Sequence, residues 1–204
     1  MNRQEHWEKV YQTKEHDQVS WFREHLDTSL RMIRNTGVGP DASIIDVGGG
    51  NSTLADDLLA AGFVDISVLD ISGKAIADSK ERLAGDADKI TWIRADITAA
   101  DLPAGHYDVW HDRAVFHFLT DDADRRKYVD LVMRVLKPGG HIIVASFGVD
   151  GPQKCSGLDV VRYSPESMHD EFGNSFDLVE SIGETHNTPF GTTQDFVYCY
   201  CRKL

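Results

Sequence analysis

The chain has 204 residues, of which 41% are hydrophobic and 26% charged, a size that suits one α/β domain and leaves too little length for two. Its formal net charge of −12 argues against a nucleic-acid partner, because phosphate contacts need clustered lysine and arginine. No apolar run approaches the length of a membrane helix, and the charged start MNRQEHWEKV has no signal-peptide core. We therefore expect a cytoplasmic protein with no membrane partner.

The first part of the chain, residues 1–40, contains two helix-like segments on either side of VSWF at 19–22, and it ends at the break GVGP. We interpret these residues as an N-terminal helical cap that packs on the rest of the chain, and not as a separate domain.

Residues 41–148 alternate between strand-like apolar runs and helical patterns. The patterns predict strands at 43–48, 65–70, 90–95, 107–112 and 141–147, and helices at 52–61, 72–84 and 121–136. Strands separated by helices favour right-handed crossovers, so we expect a doubly wound, mostly parallel sheet with helices on both faces.

The last part, residues 149–204, changes character. A loop at 151–164 leads to the helix start SPES, and the segments 176–186 and 193–203 have the pattern of two strands joined by NTPFGT. With no helix between them, these strands should be antiparallel neighbours. The sequence thus predicts one α/β domain that ends in a substrate-side loop, a helix and an antiparallel β-hairpin.

A glycine run follows the first predicted strand of the core, in IIDVGGGNS at 44–52. Ligands of open parallel sheets bind beyond the carboxyl ends of the strands, and glycines there let a ligand approach the main chain. The dinucleotide pattern G-x-G-x-x-G, counted from Gly48, would need a third glycine where Thr53 stands. The missing glycine disfavours a pyrophosphate ligand and hence a nicotinamide cofactor.

Three acids stand at the ends of successive predicted strands. Asp46 precedes the glycines and suits a positive group, Asp70 suits the two hydroxyls of a ribose, and Asp96 suits the exocyclic amine of adenine. Each aspartate alone could simply cap a turn or the next helix. All three together favour a nucleoside that carries an amine.

With these motifs, the chain resembles the class I S-adenosylmethionine-dependent methyltransferases over its whole length. The resemblance rests on IIDVGGGNS, SVLDIS, IRADIT, YDVWHDRAVFHFL and VLKPGGHIIVASF, in that order. It implies a seven-stranded sheet whose last, antiparallel strand lies between the fifth and the sixth.

The resemblance also implies S-adenosylmethionine as cofactor, S-adenosylhomocysteine as product, and a set of binding residues. The methionine portion would lie on Gly48 and Gly50 with its amino group near Asp46, while Asp112 and Arg113 would border the methyl group and the substrate. The implied cofactor-binding residues are Asp46, Gly48, Gly50, Asp70, Ile71, Asp96, Ile97, Asp112, Arg113 and, from the cap, Trp21.

The segment HWEKVYQTKEHDQVSWF resembles the lid region of the same superfamily, including some protein-lysine methyltransferases. Trp7, Tyr11, Trp21 and Phe22 would then exclude water from the sulfonium. The alternative is that these aromatic side chains only hold the cap on the core.

Methyl transfer needs a general base only when the acceptor carries a proton that does not leave on its own, as a hydroxyl does. Candidate catalytic residues are His117, Asp112 and His186, with His111 nearby in sequence. A histidine titrates near neutral pH and would serve as the base, or it would be a hydrogen-bonded residue of a turn.

The three cysteines, Cys155, Cys199 and Cys201, form neither a disulfide framework nor a zinc pattern. A three-thiolate metalloid site is conceivable, but buried strand cysteines are common, and we expect no metal.

The sequence favours methyl transfer to a small-molecule acceptor with a thiol, amine or carboxylate. Protein-lysine methylation is the alternative within the enzymes, with a protein substrate as partner. Outside this class remain a nicotinamide-dependent oxidoreductase and a non-catalytic cofactor-binding module.

Overall fold

Nine strands and six α-helices, with four short 3-10 helices, make up the fold in a computed structural model that describes residues 2–204. The strands are β1 (Ser43–Val47), β2 (Asp65–Asp70), β3 (Ile90–Arg94), β4 (Tyr107–Arg113), β5 (Leu136–Phe147), β6 (Lys154–Cys155), β7 (Leu158–Asp159), β8 (Phe176–Asn187) and β9 (Thr193–Lys203). The helices are α1 (Arg3–Thr13), α2 (Asp27–Asn35), α3 (Leu54–Ala60), α4 (Gly73–Leu83), α5 (Asp122–Val135) and α6 (Pro165–Phe172).

Seven of the strands form one sheet with the order β3-β2-β1-β4-β5-β9-β8, and β6 with β7 forms a separate small hairpin. β1 to β5 are parallel, whereas β9 is antiparallel to both of its neighbours, β5 and β8. This confirms the predicted doubly wound sheet, with the last strand between the fifth and the sixth.

The central strand β1 explains why the sheet is covered on both faces. All five of its side chains are buried, as expected for a parallel strand with helices above and below. Ile45 and Val47 belong to the core that α5 and α6 cover, whereas Ile44 belongs to the core that α2 and α3 cover. Since successive strand residues face opposite sides, one short apolar run supplies both cores.

The predicted helix starts follow from local hydrogen bonds. Ser72 Oγ accepts a hydrogen bond from the Ala75 N–H at the start of α4, and Asp121 caps α5 through the Ala123 N–H. At the start of α6, Ser164 is the N-cap and Pro165 is the first helical residue.

β5 begins earlier than the sequence predicts. Leu136 already pairs with Tyr107, and the register then shifts so that Val109 pairs with His141. The intervening LKPGG turn contains Gly139 at φ +74°, the left-handed conformation expected of a glycine in that turn. The helix α5 ends at Val135 and β5 begins at Leu136, so the turn lies within β5.

Within residues 2–204 no helix is both long enough and apolar enough to cross a membrane. The predicted cap corresponds to α1, α2 and the segment between them. α1 and residues 19–23 lie at the carboxyl ends of the parallel strands, whereas α2 packs with α3 on one face of the sheet.

Candidate functional site

A cleft lies between the cap and the carboxyl ends of the parallel strands, and it has two adjoining cavities. The first cavity is lined by the ends of β2 and β3 and the turns that follow them. The second is lined by the end of β1, the glycine loop and the segment after α1. Five residues line both cavities and define what we call the junction: Tyr11, Trp21, Val47, Gly48 and Arg113.

The glycine loop has no room for side chains. Gly48 has φ +71°, and a Cβ there would stand 2.0 Å from Val115 Cγ2. A Cβ on Gly50 would lie 2.6 Å from Asp70 Oδ2, the atom that accepts the Gly50 N–H at 3.0 Å. Gly48 thus lines the cleft directly, whereas Gly50 acts on it by holding Asp70.

Asp70 ends β2 inside the first cavity. Its carboxylate accepts hydrogen bonds from the N–H groups of Gly50 and Ser72, at 3.0 and 2.8 Å. Burial raises the pKa of Asp70 to about 6, assisted by the nearby charge of Asp46 and opposed by these backbone hydrogen bonds. Each carboxylate oxygen keeps a further lone pair, so Asp70 can still accept two hydroxyls.

The far end of the first cavity is built by Ile71, Asp96 and Ile97, which the sequence assigned to adenine. Asp96 Oδ1 accepts hydrogen bonds from the Thr98 N–H at 2.9 Å and its hydroxyl at 2.7 Å. Asp96 therefore closes a turn and lines the cavity as well, and its role toward adenine stays a prediction. The structure brings all three residues together with Asp70.

The second cavity contains a buried carboxylate with one oxygen in use. Asp46 Oδ1 lies 2.7 Å from His111 Nδ1, while Asp46 Oδ2 has no hydrogen-bond partner within residues 2–204. Asp46 is only 2% exposed. A buried carboxylate oxygen without a donor is costly, so this atom suits a positively charged donor from a ligand.

Arg113 stands at the junction and also has an unused atom. Its Nε–H donates to the Tyr198 hydroxyl at 3.1 Å, its Nη1 donates to the Trp21 carbonyl at 3.0 Å, and its guanidinium lies 4.5 Å above the Phe196 ring. Its Nη2 is buried and has no partner in the described chain, and no carboxylate forms an ion pair with Arg113 there. A guanidinium held in this way suits an anion.

These features fit an adenosine joined to an α-amino acid. Asp70 would hold the ribose, Asp96 the adenine edge, and the free atoms of Asp46 and Arg113 the amino and carboxylate groups. The chemistry of the donors and acceptors that line the cleft therefore suits S-adenosylmethionine, and Gly48 in the junction allows close approach.

Asp112 and His117 do not line either cavity. Asp112 is fully buried and accepts hydrogen bonds from the Val115 and Phe116 N–H groups and the Tyr128 hydroxyl, and burial raises its pKa to about 6. His117 packs between Phe118 and Phe147, and its ring nitrogens have no partners within residues 2–204. Burial lowers the pKa of His117 to about 3, which makes it a weak base.

His186 lies at the end of β8, facing the cap. It lies 2.8 Å from the Ser20 carbonyl through Nε2, and its Nδ1 accepts the Arg23 Nε–H at 3.1 Å. This fixes the proton on Nε2, and burial lowers the pKa of the ring. Both nitrogens of His186 are thus engaged in holding the cap against the hairpin. The catalytic roles of Asp112, His117 and His186 stay predictions.

The aromatic residues of the cap meet over the cleft. Trp7 packs on Trp21 and Phe118 with ring centroids 5.9 and 5.0 Å apart, and Tyr11 packs on Trp21 at 6.3 Å. Burial and the neighbouring Asp70 charge raise the pKa of Tyr11 well above its usual value, so its hydroxyl stays protonated. Phe22 packs instead on His16 and lines the second cavity.

Sequence reasoning missed the contacts that fasten the cap. Glu8 Oε2 accepts hydrogen bonds from the Ser72 hydroxyl and the Gly73 N–H at 3.0 and 2.9 Å. Arg3 forms ion pairs with Asp124 and, at 3.9 Å, with Asp96. Because these partners are more than sixty residues apart in the chain, no local pattern indicates them.

The three cysteines lie in two separate places. Cys155 lines the first cavity, and burial raises the pKa of its thiol to about 11. Cys199 and Cys201 are neighbours on one face of β9 with their sulfur atoms 3.3 Å apart. Within the part of the chain that the structure describes, no three His, Cys, Asp or Glu residues are arranged to hold a metal ion.

A family model described as a methyltransferase domain matches residues 44–140, from β1 to the LKPGG turn. The bovine (Bos taurus) eEF1A lysine and N-terminal methyltransferase is 28% identical over 148 residues, which cover 70% of this chain but 21% of the relative. The human EEF1A lysine methyltransferase 2 is 25% identical over 200 residues, covering 87% of this chain and 75% of the relative. This chain thus spans about a fifth of the bovine relative and most of the human one.

Among solved structures, the N-methyltransferase NodS from Bradyrhizobium japonicum WM9, in complex with S-adenosylhomocysteine, superposes with a TM-score of 0.73. The match covers 99% of both chains at 15% identity, so it establishes the shared fold, including the cap and the terminal hairpin.

Proposed function

The chain belongs to the class I S-adenosylmethionine-dependent methyltransferases, and on that premise we propose that it methylates the side-chain amine of a lysine in a protein. The observation that carries the proposal is the extent of the human match. It covers 87% of this chain and therefore extends well beyond the 44–140 core.

The cofactor supplies a methyl group on a positively charged sulfur. We assign its ribose to Asp70, its adenine edge to Asp96, its amino group to Asp46 and its carboxylate to Arg113. This order along the cleft directs the sulfur to the junction, where Gly48 permits close approach. The acceptor must then enter beside Tyr11, Trp21 and Arg113.

The junction suits an amine because it offers no general base. The Tyr11 hydroxyl stays protonated, and the Arg113 guanidinium offers only hydrogen-bond donors. A hydroxyl acceptor would need a base there, whereas an amine needs only to arrive neutral. The apolar and aromatic walls from Trp7, Trp21 and Phe118 lower the pKa of an entering amine by desolvation.

A lysine side chain fits these walls in shape as well. Its four methylene groups pack against aromatic rings, and the methylated ammonium that forms is attracted to the faces of tryptophan. Tyr11 can accept a hydrogen bond from the amine and so orient its lone pair toward the methyl group. The sequence favoured a small-molecule acceptor, whereas the human relative, of which this chain covers 75%, supports the protein-lysine alternative.

The test is an assay with tritium-labelled S-adenosylmethionine and two kinds of acceptor. The protein probe is purified eEF1A, which the relatives' names indicate, and the other is the peptide-free small-molecule fraction of a cell extract. We expect label on the protein, with mass spectrometry locating added methyl groups on lysine. Label that enters only the small-molecule fraction would overturn the lysine proposal and restore the small-molecule acceptor.

A further inference from the structure

Three buried polar side chains form a chain of hydrogen bonds from the second cavity to the cap. Asp46 on β1 and His111 on β4 are direct neighbours in the sheet, with Oδ1 and Nδ1 at 2.7 Å. On the other side of the ring, Nε2 lies 2.8 Å from the hydroxyl of Ser29 on α2. All three residues are at most 2% exposed.

The direction of the hydrogen bond between His111 and Asp46 follows from the chemistry of the two groups. A carboxylate only accepts hydrogen bonds, so His111 Nδ1 carries a proton and donates it to Asp46. The Ser29 hydroxyl holds Nε2 on the other side of the ring, because a hydroxyl can either donate to this nitrogen or accept from it. These hydrogen bonds fix the ring, and the ring fixes the plane of the carboxylate.

The order Ser-His-Asp is that of an acyl-transfer triad, but the geometry excludes this reading. Ser29 is fully buried on α2 and lines neither cavity of the cleft. No substrate reaches its hydroxyl, so it cannot be a nucleophile. The other end of the hydrogen-bonded chain is Asp46 Oδ2, which has no donor in residues 2–204 and lies against Gly49, where a Cβ would stand 2.1 Å from it. Asp46 and Gly49 both line the second cavity.

We propose that His111 is a positioning residue for cofactor binding: with Ser29 behind it, the ring holds Asp46 so that Oδ2 faces the cofactor's amino group. The inference rests on the proposed function only for the identity of the cofactor, and not on the acceptor. Loss of the ring would leave the Asp46 carboxylate free to rotate. Oδ1 would then have no donor, like Oδ2.

The test is calorimetric binding of two probes that differ in one portion. S-adenosylhomocysteine contains the amino acid end, and 5′-methylthioadenosine has the same adenosine and sulfur without it. In His111→Leu we expect S-adenosylhomocysteine to bind at least about tenfold more weakly and 5′-methylthioadenosine to bind as in the wild type. In His111→Asn, whose amide N–H can take the place of Nδ1–H, most of the lost affinity should return.

A purely structural role for His111 predicts something else. If His111→Leu weakened both probes equally, or weakened neither, the positioning role would be wrong. Should His111→Leu fail to fold, Ser29→Ala provides the same test, with a smaller selective loss of S-adenosylhomocysteine affinity expected. Because only cofactor binding is measured, failure here is distinguishable from failure to methylate a lysine.

Discussion

Asp70 and Asp96 accept hydrogen bonds from the turns that follow them and also line the first cavity. At the level of the residue, capping a turn and binding a ligand are thus not alternatives, because a carboxylate has more lone pairs than the turn uses. The same turn contacts hold the carboxylates in place before a ligand arrives, which reduces the ordering cost of binding.

Asp70 should dominate the affinity for the adenosine portion. We expect Asp70→Ala to weaken S-adenosylhomocysteine binding by well over tenfold, since charge-assisted hydrogen bonds contribute roughly 1.5–3 kcal/mol. Calorimetric titration measures the change. Asp65→Ala, at the opposite end of β2, is the matched control and should bind like the wild type. Unchanged binding in Asp70→Ala would remove the ribose assignment.

His117 should make the protein sensitive to acid. Its pKa of about 3 lies below the ordinary 6.5, so the folded state keeps the ring neutral while the unfolded state protonates it. The contribution of neutral His117 to the free energy of unfolding is therefore present above pH 6.5 and is lost as the pH falls toward about 3. By about pH 5 the loss is on the order of 2 kcal/mol.

His117→Phe removes this titration and the buried unpaired nitrogens. We expect its melting temperature to fall less than that of the wild type between neutral pH and about pH 5. Thermal denaturation at both pH values checks this, and parallel falls would contradict it. The same variant tests His117 as the predicted general base. A base with this pKa contributes little to methyl transfer near neutral pH, so turnover should remain within about threefold of the wild type.

At the level of the element, α1 is predicted to be a lid, and Glu8 fastens its middle to the core. Glu8 accepts hydrogen bonds at the first turn of α4, where a negative charge is also favoured by the helix dipole. The lid must open to exchange the product, so this contact should govern the rate of release.

Glu8→Ala should accelerate dissociation of S-adenosylhomocysteine several-fold, because about 1 kcal/mol of the lid contact is lost. Stopped-flow tryptophan fluorescence measures the rate, since Trp7 and Trp21 lie in the cap. Glu24→Ala, an exposed acid of the same cap, is the matched control. Equal dissociation rates in all three proteins would exclude the lid contact as the barrier.

The elements themselves were largely predictable, and the contacts between them were not. β1 and α5 show clear patterns because each buries a continuous apolar face. The positions of Asp46 and Asp70 in the cleft were predictable, because parallel strands end at one edge of a sheet. The inward turn of Asp112 and the isolation of His117 depend on tertiary packing that a single sequence does not encode locally.

At the level of the whole molecule, the net charge of −12 should influence which acceptor is used. An acidic surface attracts a basic protein and has little effect on ligands inside the buried cleft. The predicted cytoplasmic location and the division into cap, core and hairpin remain expectations from the sequence.

Salt should therefore separate acceptor from cofactor. Raising the ionic strength should increase KM for a basic protein acceptor several-fold, because exposed charges are screened beyond a Debye length of about 8 Å at physiological salt. The affinity for S-adenosylhomocysteine should change little over the same range. Initial rates and calorimetry at matched salt concentrations provide both values, and a KM independent of salt would argue against charge-guided docking.

The most direct measurement is a crystal structure of the protein with S-adenosylhomocysteine. We expect the ribose hydroxyls on Asp70, the amino group on Asp46 Oδ2 and the carboxylate on Arg113 Nη2, with the sulfur at the junction beside Tyr11. A ligand bound in the reverse direction, or one that leaves Asp46 and Arg113 without partners, would contradict both the cofactor site and the entry route proposed for the lysine.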